Sequence, residues 1–202
     1  MDVLILVDIQ IDFLPGGALP VPHGDEVVPV ANRLMKRMPL VVATQDWHPR
    51  EHQSFASNHP DHKPFDRIQL AGQEQVLWPD HCVQSMRGAE FAPGLEQGPI
   101  EAIFRKGTDP QIDSYSGFFD NARRKATGLA DYLRGRSARR LFIAGLAAEY
   151  CVLYTLLDAL DLGFEATLVR DGTRALSDTD FAAARPTILE RGGRLLMSRD
   201  LV

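Results

Sequence analysis

Apolar residues along this chain gather in short unbroken runs, separated by longer stretches of helical spacing. The runs at 3–7, 40–43, 102–104, 140–144 and 166–169 predict buried strands, and 194–197 predicts a weaker one. Runs without polar alternation suit strands covered on both faces. Between them, 25–38 carries Val27, Val30, Ala31 and Leu34 near helical spacing, with Pro29 in its first turns. A helix is predicted over 119–133, with Ala126, Leu129, Ala130 and Leu133 on one side. The largely apolar 149–162 predicts a buried helix that Gly163 stops. The segment 178–191 opens on the cap-forming Ser177-Asp178-Thr179-Asp180, and Pro186 is expected to kink or divide it.

Strands alternating with helices imply an α/β fold. The expected form is a three-layer doubly wound one, with a mostly parallel six-stranded sheet and right-handed crossovers. The segment 47–99 breaks the rhythm. It is rich in His, Pro, Gln and Gly, and a connection that long is functional or disordered. Phe55, Phe65, Trp78 and Phe91 argue against disorder. With 202 residues, a single domain over 1–202 is expected, containing a long metal-binding loop region of about 46–99.

Composition narrows the class without naming it. A chain 45% hydrophobic and 24% charged is ordinary for a globular enzyme. The net charge of -5 gives no electrostatic reason to expect nucleic acid or an acidic membrane as partner. The first apolar run is too short for a secretion signal and lacks a basic leader. No window approaches the roughly 18 to 20 apolar residues of a membrane span. Two cysteines, Cys82 and Cys151, do not suggest a disulfide framework. A cytoplasmic enzyme acting on a small molecule is the expectation. Whether copies associate into a homo-oligomer is left open.

In open parallel sheets, ligands bind beyond the carboxyl ends of the strands. Those ends here carry Asp8, then Thr44-Gln45-Asp46, then Arg105-Lys106-Gly107, and Gly145-Leu146-Ala147 with Cys151 shortly after. An acid, metal-type ligands, an amine and a thiol thus converge on one edge. Cys151 near a helix start is a candidate nucleophile, and backbone N–H groups and Lys106 would lower its pKa. A buried structural cysteine is the plain alternative. Asp8 is the candidate proton shuttle. Asp46 and His48, two apart in an extended segment, point the same way and can share a divalent cation, with His81 as a third ligand. Five of the six histidines lie between His48 and His81, so His52, His59 and His62 are further candidates. Phe13, Trp78 and Tyr115 are placed to sandwich a flat ring.

These stretches also carry a resemblance that runs nearly end to end and in one order. They are 7–13 around Asp8, 44–49 around Asp46-Trp47-His48, 78–83 around His81, 104–107 around Lys106, 113–118 around Tyr115, and 145–152 ending on Cys151-Val152. The chain resembles the nicotinamidase/pyrazinamidase family of the isochorismatase-like cysteine hydrolases. The resemblance implies a catalytic triad of Asp8, Lys106 and Cys151, and an oxyanion hole from the N–H groups of Ala147 and Cys151. It implies one divalent ion (zinc, iron or manganese) on Asp46, His48 and His81, with His52 or Ser54 as additional ligands. It implies a pocket of Phe13, Trp78 and Tyr115, and a cis peptide near Leu146-Ala147. The substrate would be nicotinamide, with pyrazinamide as an analogue. Where the family commonly has Thr-Asp, this chain has Ala148-Glu149. Three rivals compete: a carbamoyl or ureido amidase of the same superfamily, a metal-dependent hydrolase with an inert Cys151, and a nucleotide-binding module. The last is weakened because no G-x-G-x-x-G follows Asp8.

Overall fold

The computed structural model describes residues 1–201. Strand β1 (Asp2–Val7) leads through helix α1 (Val27–Met35) to β2 (Val41–Asp46). A hairpin of β3 (Arg67–Leu70) and β4 (Gln73–Val76) follows, then β5 (Ala102–Lys106) and helix α2 (Leu129–Gly135). The chain ends with β6 (Arg140–Gly145), α3 (Leu153–Asp161), β7 (Glu165–Thr173), α4 (Asp178–Glu190) and β8 (Arg194–Leu196). The main sheet has six strands in the order β5-β2-β1-β6-β7-β8. Every pairing in it is parallel, so the predicted α/β sheet is present. No helix among the described residues is long and apolar enough to cross a membrane.

The pleat sends alternate residues into two cores. Val3, Ile5 and Val7 face Leu129, Leu133, Leu153, Leu156 and Ile188 from α2, α3 and α4. Leu4 and Leu6 face α1, and Phe13, Trp78, Phe91 and Leu95 complete that side. The long segment is therefore ordered because it covers a sheet face that one helix cannot. After β1 the chain moves outward to β2 and β5, then returns to lay β6 on β1's other side. The connections leaving β1 and β6 diverge there, which opens a crevice at their carboxyl ends.

Several sequence expectations need correction. The helix predicted over 119–133 forms only from Leu129. Upstream, the Asp120 carboxylate accepts the N–H groups of Arg124 (2.9 Å) and Lys125 (2.7 Å), a local turn that competes with a helix. Gly128 then enters α2 at φ 91°. The run 102–104 is not covered on both faces, because β5 is an edge strand with Ile103 and Arg105 exposed. The helix predicted over 149–162 begins as a π-helical turn over Ala148–Val152 before α3. Pro186 does not divide α4, which Ser177 caps by accepting the Asp180 N–H at 3.2 Å. The β3–β4 hairpin was not anticipated. It turns on Ala71 and Gly72, both at positive φ as such two-residue turns require.

Candidate active site

Three side chains meet at the switch point. Asp8 follows β1 and is completely buried. Lys106 ends β5 directly opposite Asp46 of β2. Its Nζ lies 2.8 Å from Asp8 Oδ2, 3.3 Å from Cys151 Sγ and 3.0 Å from Asp46 Oδ1, and donates to the Ser114 carbonyl at 2.9 Å. Thr44 Oγ1 donates to Asp8 Oδ1 at 2.6 Å, which leaves Oδ2 facing the amine. Gly145 lets the ends of β1 and β6 approach. A Cβ there would stand 2.0 Å from the Val7 carbonyl oxygen. The Leu146–Ala147 peptide is cis, at the expected place. Cys151 follows in the π-helical turn.

Lys106 pulls the Cys151 pKa down as expected, but burial acts the other way. Burial lifts the Cys151 thiol well above its usual pKa, and Lys106 only partly offsets this. Burial thus disfavours a free thiolate. Burial also raises Asp8, against the pull of Lys106. Burial opposes the charge on Lys106 itself, yet Asp46 and Asp8 hold the ammonium well above its ordinary range. The raised Asp8 pKa makes its carboxylate a better proton acceptor beside the thiol than an ordinary aspartate.

The second cluster stands beside the first. Asp46 Oδ2 lies 3.1 Å from His48 Nε2 and 3.5 Å from His81 Nε2. Each ring's Nδ1 faces a carbonyl, Gly107 at 3.0 Å and Pro79 at 2.8 Å. A carbonyl only accepts, so each Nδ1 carries the hydrogen and each neutral ring turns an Nε2 lone pair toward the carboxylate. Three lone-pair donors converging without a proton between them fit a divalent cation. Burial disfavours a charged His48, but Asp46 overrides it and raises the pKa, so the carboxylate draws positive charge toward this gap. Gly107 gives the His48 ring its room, since a Cβ there would fall 2.3 Å from Cε1.

The additional ligands proposed from sequence divide. Ser54 Oγ is engaged with His52 Nδ1 at 2.7 Å, and the Ser54 N–H donates to the same nitrogen at 3.1 Å. Ser54 therefore supports His52. His52 Nε2 is buried and has no hydrogen-bond partner among the described residues. One ligand atom of each of His48, His52 and Asp113 lies within 4.8 Å of the others. His59 and His62 are not in these clusters: His59 Nε2 meets the Gln53 carbonyl, and His62 lies beside Asp66.

A recess opens on both clusters. Phe13, Trp78 and Tyr115 line it, together with Asp46, His81, Ala147 and Cys151. Trp78 meets Tyr115 edge-on at 6.3 Å and Tyr150 at 4.9 Å. Leu19, Asp113, Tyr150 and Leu176 also line it and were not assigned from the sequence. Asp113 and Tyr150 sit inside motif stretches already singled out, so the signal was present for them. Leu19 and Leu176 are loop leucines with no distinguishing pattern. Cys82 is buried in the α1-side core, where its N–H donates to Asp12 Oδ2 at 2.7 Å.

Comparisons with known proteins identify the family. The isochorismatase domain model matches residues 2–199. A nicotinamidase of Escherichia coli is 51% identical over 178 residues, covering 86% of this chain and 83% of that protein. The solved nicotinamidase/pyrazinamidase of Acinetobacter baumanii superposes with a TM-score of 0.97 at 39% identity, covering 100% of this chain and 98% of that one. The pyrazinamidase of Pyrococcus horikoshii, solved in complex with zinc, is 39% identical with a TM-score of 0.79, covering 97% of this chain and 98% of that one. An acid–amine–thiol cluster and a cation-type donor set, at one switch point of a parallel sheet matched over nearly its whole length, place this chain in the isochorismatase family, among its nicotinamidases.

Proposed function

We propose that the chain is a single-domain amide hydrolase that converts nicotinamide to nicotinate and ammonia, and pyrazinamide to pyrazinoate. The observation that carries this is the Lys106 amine, 2.8 Å from Asp8 and 3.3 Å from Cys151, with Cys151, Asp46 and His81 all lining one recess. Asp8 Oδ2 takes the Cys151 proton, and the thiolate attacks the carboxamide carbon. The N–H groups of Ala147 and Cys151 hold the oxyanion. Asp8 returns the proton to the leaving nitrogen, and ammonia departs. Asp8 then deprotonates a water, which hydrolyses the thioester and frees nicotinate and the thiol. Lys106 steadies the negative charge that alternates between Asp8 and Cys151. Phe13, Trp78 and Tyr115 hold the ring.

Asp46, His48 and His81 would hold a divalent cation (zinc, iron or manganese), with His52 beside them. When bound, the ion supplies a Lewis acid for the ring nitrogen, which orients the substrate and leaves the nucleophile to the thiol. The donor set weighs against a carbamoyl or ureido amidase. A cytoplasmic place in NAD salvage fits the chemistry. The test is ammonia release from nicotinamide, against N-carbamoyl compounds as controls, before and after chelation. Turnover of nicotinamide alone, lost on chelation and restored by metal, is expected. A metal-loaded enzyme that releases no ammonia from nicotinamide would overturn the reading.

A further inference from the structure

Glu149 is buried two residues before Cys151, and its carboxylate does not face the thiol. It reaches instead to the connection between β7 and α4. Oε1 accepts the Ser177 N–H at 2.7 Å, and Oε2 accepts the Leu176 N–H at 3.2 Å. The Ala148 N–H adds a third tie, to the Arg174 carbonyl at 2.8 Å. The turn that bears the nucleophile is thus clipped to the loop that bears Leu176, a wall of the recess. Leu176 has no side-chain polar group to fix its own place. Two part-buried backbone donors left without that carboxylate would seek partners elsewhere and move the loop.

We infer that Glu149 is a positioning residue that holds Leu176 as the recess wall and so favours unsubstituted heteroaromatic carboxamides over ring-substituted ones. This rests on the amidase reading above. A carboxylate is required because each of its oxygens meets a donor. A glutamine keeps one acceptor oxygen, but its NH2 group then meets the second N–H donor to donor.

The experiment measures kcat and KM for nicotinamide and for ring-methylated nicotinamides in wild type, Glu149→Ala, Glu149→Gln, Leu176→Ala and the Glu149→Ala/Leu176→Ala double variant. Leu176→Ala should raise KM for nicotinamide about tenfold, with kcat changed far less, and should cut the preference over the methylated rings by about tenfold. Glu149→Ala should do the same, Glu149→Gln should fall between, and the double variant should lose no more than either single one. Unchanged preference in Glu149→Ala, or losses that multiply in the double variant, would overturn the inference. Should Glu149→Ala fail to fold, Glu149→Gln decides: it must shift preference in the direction of Leu176→Ala, and wild-type preference refutes the role. A wild type that releases no ammonia from nicotinamide fails the amidase reading instead and takes this inference with it.

Discussion

The two sides of the recess rest on different supports. On the sulfur side, Asp8 and Lys106 stand at the ends of β1 and β5, and Cys151 follows β6 after one tight turn. Parallel-sheet hydrogen bonding sets their spacing. On the histidine side only Asp46 ends a strand. His48, His52 and His81 belong to the long segment, which is held by ties such as His48 N–H to the Cys82 carbonyl (3.0 Å) and Trp78 N–H to the Ser54 carbonyl (2.8 Å). Lys106 joins the sides by touching both Asp8 and Asp46. A reacting group is thus carried by rigid strands, while a docking group is carried by a stapled loop that covers a core. Even the two cysteines follow this division. Burial raises both thiols well above the usual range, but Cys151 opens on the recess and Cys82 does not.

Cys151→Ala should produce the largest change. Nicotinamide turnover should fall at least about 10⁴-fold while bound metal is retained. Cys82→Ala, read in the same ammonia assay, should stay near wild type, and equal losses in the two variants would erase the distinction between the thiols. His81→Ala comes next. It should weaken metal binding at least about 100-fold, read by metal analysis of purified protein. Iodoacetamide should still alkylate its Cys151. A variant that keeps its metal, or a thiol that becomes inert, would show that the sides are not supported separately.

The last effect is one of stability and belongs to the histidine side alone. In metal-free protein, burial and the neighbouring His48 lower the His52 pKa from 6.5 to about 4. The folded state then binds its proton less readily than the unfolded chain. The stability from a neutral His52 is complete above pH 6.5 and is lost as pH falls through about 4. The loss amounts to about 3 kcal/mol. Urea unfolding at intervals between pH 7 and pH 4 should show this slope in wild type and a flatter one in His52→Asn. Parallel curves would remove His52 as the cause.

The legibility of the site follows the same division. Asp8, Asp46, Lys106 and Cys151 were readable because apolar runs mark strands and polar residues at their ends mark an edge. The histidine cluster was readable as a local excess, but not its division of labour: Ser54 supporting His52, or Gly107 making room for His48, depends on contacts across the crevice. The helix over 119–133 was misjudged because an Asp120 side chain outcompeted helical spacing that was genuine only from Leu129 onward.

By itself, then, the sequence determined the strand-and-helix alternation, the residue types at the strand ends and the family they resemble, since these follow from local periodicity and short motifs. Only the tertiary structure decided which oxygen of Asp8 faces the amine, that burial outweighs Lys106 at the thiol, and that Glu149 grips a loop 27 residues further along. Those outcomes depend on desolvation and on distances between segments remote in the chain, and no pattern along it encodes either.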